Sequence, residues 1–390
     1  MKCIRNKEYL TLLVKPTHKC NMNCSYCYDR IYRETIKDDM SLEDIREIAK
    51  KARGVSSYIN WIWHGGEVLV LGKEWFKEAS KILREELGQL LGSVSLQSNG
   101  ILIDDEWIDI LIAEKISLGI SYDGIHHNDT RANNAEQVKE NILKCKKRGM
   151  KVGVISVLTS ETLRDWRSNV EHLKEMGIKS FSFNIVHPDK VGSLEFNAAG
   201  EDDYIQNLKD YFEFILYNEE GITDRNVDAI ILNMLGSNKC VCNYSDCTGK
   251  FLGVAPTGII YPCDRYFPER YILGNVKDYE SLSEAFQSEG YVNLIQDRAM
   301  RRQHCKENCL LSDFCNGGCN ATTLLYNNGT FDKVNEVYCH FYRDIFKYIF
   351  ENFKDISKED IKKLNPHYYK LLLKNGYISL SAIKEALKEA

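Results

Sequence analysis

Cys20, Cys24 and Cys27 lie in the stretch Lys15-Pro-Thr-His-Lys-Cys20-Asn-Met-Asn-Cys24-Ser-Tyr-Cys27-Tyr28, directly after an apolar run. Three thiolates on one short loop can hold three irons of a 4Fe–4S cluster and leave the fourth open to a small molecule. A cluster that only carries electrons usually has four protein ligands, so this spacing points to a reactive iron. The competing readings are a zinc knuckle, a redox disulfide or buried thiols. Zinc would need a fourth ligand close by, and His18 is the one candidate. Fourteen cysteines without an export signal argue for metal ligation in a reducing cytoplasm rather than for a disulfide scaffold.

The elements that must position this loop read as repeated strand–helix units. The pattern predicts strands at Tyr9–Lys15, Tyr58–His64, Ser93–Gln97, Ser117–Tyr122, Lys151–Leu158 and Ser180–Val186. Helices are predicted at Ser41–Lys51, Lys73–Leu87, Asp104–Glu114, Asn134–Arg148 and Leu163–Met176, the first capped by Ser41. Six such units imply a parallel sheet with right-handed crossovers, too short for a closed eight-stranded barrel. The expected fold is α/β: a partial (β/α)6 TIM-like barrel. Functional groups in such folds gather at the carboxyl ends of strands. The local motifs lie there: Gly65-Gly66-Glu67 after the second strand, Ser98-Asn99 after the third, and Ser121 and Asp123 after the fourth, with Arg131 a short loop later. The glycines allow close backbone approach, Glu67 can accept from an ammonium group, and Arg131 can fork onto a carboxylate.

The C-x3-C-x2-C loop followed by an aromatic residue resembles the signature of radical S-adenosylmethionine (SAM) enzymes. The resemblance implies that the open iron chelates the amino and carboxylate groups of SAM, and that reduction of the cluster cleaves SAM to a 5′-deoxyadenosyl radical. It also implies that Gly65, Gly66 and Glu67 bind the methionine amine, and that Ser121, Asp123 and Arg131 meet ribose and carboxylate. Tyr26 would pack near adenine, and Ser98 and Asn99 would complete the cofactor site. Val68 stands where the family usually has Pro after Gly-Gly-Glu.

Nine more cysteines fill the last part of the chain: Cys240, Cys242, Cys247, Cys263, Cys305, Cys309, Cys315, Cys319 and Cys339. The Ala255-Pro-Thr-Gly258 turn reads as a hairpin between Cys247 and Cys263. The pattern resembles the SPASM domain, a C-terminal extension of radical SAM enzymes that act on peptides and proteins. One extra residue separates Cys305 from Cys309 relative to that family. The resemblance implies two auxiliary 4Fe–4S clusters, three in all. One would use Cys247, Cys263, Cys319 and either Cys240 or Cys242; the other would use Cys305, Cys309, Cys315 and Cys339. Zinc ribbons are the competing reading. Cys145 reads as a buried helix residue and Cys3 as incidental.

The expected organisation is a radical SAM barrel over 1–200, a helical connection over 201–236, a SPASM domain over 237–345 and a helical tail over 346–390. The closest architectural resemblance is to anaerobic sulfatase-maturing enzymes, which oxidise Cys or Ser to formylglycine. With the cluster loop starting at residue 20, no peptide-recognition domain is expected ahead of it. In that family an Asp in the position of Asp264, within Tyr261-Pro-Cys-Asp264, is the proposed catalytic base. His64 stands where the sulfatase-maturing group has Gln. The Trp-His-Gly-Gly-Glu and Tyr-Pro-Cys-Asp-Arg-Tyr forms look more like maturases of ribosomally made peptides, which build crosslinks or otherwise alter residues. The reading is therefore a peptide maturase, with the sulfatase-maturing enzyme as its alternative. A small-molecule radical dehydrogenase and an iron–sulfur electron carrier are the readings of another class.

Hydrophobic content of 44%, charged content of 27% and a net charge of −5 over 390 residues fit an ordinary globular protein. They give no global basic field for nucleic acid, and no apolar run is long enough to span a membrane. The expected partners are a peptide or protein substrate and an electron donor such as flavodoxin or ferredoxin, in the cytoplasm.

Overall fold

The computed structural model describes residues 9–185, 201–234, 247–327, 329–334, 339, 343–345, 347–348, 351 and 363–374. Cys3, Cys240 and Cys242 lie outside them. The chain divides into two compact units, one of Met1–Asp123, His127–Val154 and Cys247–Asp297, the other of Gly124–His126, Ile155–Asp246 and Arg298–Ala390.

The first unit is built on β1 (Tyr9–Val14), a run buried almost throughout, as a strand covered on both faces must be. It pairs in parallel with β2 (Tyr58–Trp63), from Tyr9 opposite Tyr58 to Val14 opposite Trp63. β3 (Leu91–Ser98) and β4 (Ser117–Ser121) continue the parallel sheet. The intervening helices are α1 (Arg30–Thr35), α2 (Leu42–Ala52), α3 (Lys73–Leu87), α4 (Asp105–Ala113), α5 (His127–Thr130) and α6 (Ala135–Lys147). Ser41 and Asp44 close a capping box on α2, and Asp104 caps α4 through the Trp107 N–H. Trp61, Trp63 and Phe76 are fully buried between sheet and helices, and Cys145 is buried on α6 as expected.

On its other side β1 pairs in parallel with β8 (Phe251–Val254), which turns through Ala255–Gly258 into the antiparallel β9 (Ile260–Tyr261). The hairpin was legible in the sequence; its attachment to β1 was not. A built Cβ at Gly253 would lie 2.0 Å from the Cys263 carbonyl oxygen, so the strand's glycine admits the cysteine backbone.

β5 (Val152–Leu158) starts in the first unit and ends in the second. There it neighbours β6 (Ser180–Ile185), which pairs in parallel with β7 (Thr223–Asp224). The single helix expected over Leu163–Met176 is two, α7 (Ser160–Arg164) and α8 (Trp166–Glu175), broken at Asp165. α9 (Glu201–Tyr217) and α10 (Arg225–Met234) follow. The remaining helices are α11 (Glu289–Asn308), α12 (Ser312–Cys315), α13 (Asn320–Tyr326) and α14 (Pro366–Lys374). The α14 segment packs on the body: Tyr368 is fully buried, and Asn365 Nδ2 donates to the Ile215 and Ile222 carbonyls at 3.0 and 2.6 Å.

Candidate functional site: a cysteine loop and the strand ends around it

Cys20, Cys24 and Cys27 are free thiols, partly exposed, on the loop after β1. The loop is held by many donors. Arg30 donates to the Cys24 carbonyl at 2.7 Å, Arg33 donates to the Met22 carbonyl, and the Ser25 N–H and hydroxyl both reach the Thr130 carbonyl at 3.0 Å. Two N–H groups point at sulfur: Asn99 Nδ2 lies 3.8 Å from Cys20 Sγ, and Arg131 Nη1 3.9 Å from Cys24 Sγ. Burial pushes the Cys20 thiol up to about 11 and raises Cys24, against the pull of Arg131. Metal ligation, which takes the thiolate, must overcome that penalty.

His18, the one candidate for a fourth zinc ligand, is tied elsewhere. Its Nδ1 is 2.9 Å from Asp29 Oδ2, and Tyr266 donates to Asp29 Oδ1 at 2.6 Å. Among the described residues no three His, Cys, Asp or Glu side chains converge as they would around a single metal ion. N–H groups aimed at the Cys20 and Cys24 sulfurs suit an iron–sulfur group, whose electronics such hydrogen bonds tune.

Gly65 and Gly66 do approach backbone closely, but it is the chain's own. The Gly66 N–H donates to the Thr17 carbonyl at 3.0 Å and the Glu67 N–H to the Lys19 carbonyl at 2.8 Å. A Cβ on Gly66 would lie 2.3 and 2.4 Å from the Lys19 and His18 carbonyl oxygens; Gly65, at φ 123°, would meet the Thr17 oxygen at 2.5 Å. Glu67 likewise turns inward, being 1% exposed. Its carboxylate accepts from the Asn99 N–H at 2.7 Å, the Leu69 N–H at 3.1 Å and the Ser98 hydroxyl at 3.1 Å. Expected from the sequence to receive an ammonium, Glu67 through these bonds also ties the β2 end to the β3 end. Burial outweighs these donors and lifts its carboxyl to about 7.

Asp123, after β4, is a buried hub. Its Oδ2 accepts from Tyr26 at 2.5 Å and Thr130 at 2.7 Å, and Arg131 Nε stands 3.0 Å away. The guanidinium is thus paired within the chain, and its centre lies 5.4 Å from that of the Tyr26 ring. Sequence reasoning left Arg131 free to meet a carboxylate and did not see this pairing. Ser121 accepts from Gln97 Nε2 at 2.8 Å, and Asn99 Nδ2 also donates to Asn21 Oδ1 at 2.7 Å. The structure therefore brings Tyr26, Ser98, Asn99, Asp123 and Arg131 around the cysteine loop.

Asp264 sits beside the end of β1 in a knot that sequence reasoning missed. Tyr28 donates to its Oδ2 at 3.3 Å, and the buried Lys15 donates to Tyr28 Oη at 3.4 Å. Lys15 Nζ also lies 3.7 Å from Asp29 and 4.1 Å from the centre of the Tyr266 ring. Burial raises the Asp264 carboxyl, but Arg265, Lys15 and His64 outweigh it and hold it below its ordinary value. His64 is pushed down to about 4, by burial first and then by Lys15. A lysine ending an otherwise apolar buried strand was the available signal for this knot.

In the second unit, Cys305 on α11, Cys309, Cys315 on α12 and Cys339 share one neighbourhood. Burial pushes Cys315 up to about 12, and Cys339, Cys305 and Cys309 add to the rise. Cys319 ends the loop after Cys315; Cys247 and Cys263 belong to the first unit.

These features define a class: a parallel α/β protein with a three-thiol loop at its strand ends and a second, cysteine-rich region. Residues 14–173 match the Radical SAM superfamily, and residues 242–310 match SPASM, an iron–sulfur cluster-binding domain. The chain belongs to the radical SAM superfamily and carries a C-terminal SPASM domain. It is 25% identical over 371 residues to the cysteine-type anaerobic sulfatase-maturating enzyme of Clostridium perfringens (strain 13 / Type A), covering 89% of this chain and 98% of that one. It is 25% identical over 323 residues to the antilisterial bacteriocin subtilosin biosynthesis protein AlbA of Bacillus subtilis (strain 168), covering 78% and 65%. The solved structure of native anSMEcpe with bound AdoMet and Cp18Cys peptide superposes with a TM-score of 0.75 at 25% identity, over 88% of this chain and 97% of that one.

Proposed function

We propose that this chain is a radical SAM/SPASM maturase that abstracts a hydrogen atom from a residue of a peptide, leaving it crosslinked or oxidised. The observation that carries the reading is the convergence on one cysteine loop of the β3 and β4 ends, whose Asn99 and Arg131 reach the Cys20 and Cys24 sulfurs. Cys20, Cys24 and Cys27 would hold a 4Fe–4S cluster, which when bound with SAM supplies the 5′-deoxyadenosyl radical. Gly65, Gly66, Glu67, Ser98, Asn99, Ser121, Asp123 and Arg131 would line the SAM site, with Arg131 toward its carboxylate and Tyr26 near its adenine. Glu67 fixes two of its loops, and Asp123 holds Tyr26 and Arg131 in place. Asp264, kept ionised by its cationic neighbours, takes the substrate proton at Oδ2 while Tyr28 holds that oxygen in position. Cys305, Cys309, Cys315 and Cys339 would hold one auxiliary cluster. Cys247, Cys263 and Cys319, with Cys240 or Cys242, would hold the other. A reductant of flavodoxin or ferredoxin type in the cytoplasm would supply electrons. No helix among the described residues is long and apolar enough to cross a membrane.

A second reading, the sulfatase-maturing enzyme, is favoured by coverage: nearly the whole Clostridium relative aligns, against about two-thirds of AlbA. The deciding experiment incubates the reconstituted protein with SAM, reductant and Cys- or Ser-containing peptides, followed by mass spectrometry with and without an aldehyde-trapping hydrazide. Loss of hydrogen with no trapped product supports the crosslinking maturase. A hydrazone supports formylglycine. SAM cleavage without modification of any peptide overturns both.

A further inference from the structure

His127, the first residue of α5, is fully buried and grips two residues of the site at once. Its ring accepts at Nδ1 from the Asp123 N–H at 3.3 Å. Its own carbonyl accepts from the Arg131 N–H at 2.9 Å. One residue therefore holds both backbones, while the two side chains meet each other, Arg131 Nε standing 3.0 Å from Asp123 Oδ2. Tyr26 and Thr130 donate to that same oxygen at 2.5 and 2.7 Å. A shift of the Asp123 backbone is thus passed to the Tyr26 ring and the Arg131 guanidinium, because one carboxylate oxygen meets both.

The protonation of the His127 ring follows from its partners. A backbone N–H can only donate, so Nδ1 carries no proton. The proton of the neutral ring then sits on Nε2, which donates to Asn134 Oδ1 at 2.8 Å. Asn134 fixes the tautomer that the Asp123 N–H needs. The ring packs against Tyr122, with centres 5.0 Å apart and planes at 34°. Burial first, and then the Arg131 charge, lower the ring's pKa from its ordinary value; Asn134 and Asp123 pull the other way and are outweighed.

We infer that His127 is a positioning residue for SAM: its bare Nδ1 fixes the Asp123 backbone, and through it the Tyr26 ring and the Arg131 guanidinium. This rests on the reading given above, in which Arg131 meets the SAM carboxylate and Tyr26 lies near adenine. The ring touches neither end of SAM in that reading and acts only through residues that do, as a supporting contact holds a binding group in its productive place.

The test is calorimetry of SAM binding to the full, anaerobically reconstituted chain, with iron content and thermal unfolding measured on each variant. His127→Asn sets an amide oxygen in the place of Nδ1 but leaves a void. His127→Gln and His127→Leu fill more of the space and leave the Asp123 N–H without that acceptor. Packing alone ranks Gln and Leu above Asn; the bond to Asp123 ranks Asn first. At wild-type iron content, Gln and Leu should weaken SAM binding about tenfold or more, the worth of roughly one hydrogen bond. Asn should stay within about threefold of wild type while unfolding at a lower temperature than Gln. If the Gln and Leu variants do not retain iron, Asn134→Ala decides, since it frees the tautomer at a half-buried position: weaker SAM binding supports the inference and unchanged binding overturns it. Equal losses in all three His127 variants, or no loss in any, overturn the inference alone when Arg131→Ala still weakens SAM binding. Unchanged affinity in Arg131→Ala overturns it together with the SAM-site reading beneath it.

Discussion

Replacing Glu67 by Gln separates the brace from a ligand-binding carboxylate. Glu67 is buried and accepts from two backbone N–H groups and one hydroxyl, yet its carboxyl is lifted from 4.5 to about 7. A folded-state value above the unfolded one means that the native chain binds the proton more tightly. The resulting stabilisation is complete below about pH 4.5 and is lost as pH rises through about 7. At ~1.4 kcal/mol per unit the whole difference is about 3.4 kcal/mol, with about 2.5 of it between pH 5 and pH 8. Gln cannot titrate, but whichever way its amide faces, one backbone N–H loses its acceptor, at a cost of ~1–3 kcal/mol. The variant should therefore be the less stable protein at pH 5, with the gap closing or reversing by pH 8. Hydrogen-exchange mass spectrometry on peptides covering Leu69 and Asn99, corrected for intrinsic exchange, reads this locally. Parallel pH profiles for wild type and Glu67→Gln would refute the argument, because Glu67 would then be ionised and solvated.

Asp264→Asn should leave 5′-deoxyadenosine formation intact while lowering modified peptide by roughly 10²–10⁴-fold, measured by liquid chromatography of both products; near-normal peptide turnover would leave Asp264 a structural role. Arg131→Ala should weaken SAM binding by ~1.5–3 kcal/mol in calorimetry on the reconstituted chain, through loss of a charge-assisted contact. Asp123→Asn should weaken it too, because Asp123 holds Arg131 and Tyr26 in place; unchanged affinity in both would put the carboxylate partner elsewhere. Gly66→Ala must push apart the backbone of Gly66 and of His18–Lys19, costing about 3 kcal/mol or more. It should lower iron retention at the first cysteine loop, and a normal iron content would show that the loop can yield.

What the sequence revealed was local. The C-x3-C-x2-C loop, the glycines after β2 and the Ser41–Asp44 cap are encoded by neighbouring residues, and each appears where the pattern put it. The strand–helix periodicity survives because each unit buries one apolar face on the sheet. What it did not reveal depends on distant partners. The parallel docking of β8 on β1 joins Val14 to Val254 across the chain, and no local pattern announces it. The break of α7 from α8 at Asp165 interrupts an otherwise helical periodicity. α11 is too polar for its periodicity to stand out. The inward turn of Glu67, the hold of Asp123 on Arg131 and the knot of Lys15, Tyr28 and Asp264 were illegible for a common reason. A charged side chain at a strand end reads as available to a ligand until the structure shows which internal donor or counter-charge it meets.

The central claim is that Cys20, Cys24 and Cys27 hold the iron that cleaves SAM. The direct measurement is 5′-deoxyadenosine formed from SAM and dithionite by the anaerobically reconstituted chain, beside the variant with all three cysteines changed to Ala. The wild type should form 5′-deoxyadenosine; the triple variant should form none and should lose one cluster's worth of iron while keeping the iron bound by the C-terminal cysteines. Cleavage of SAM by the triple variant would contradict the account.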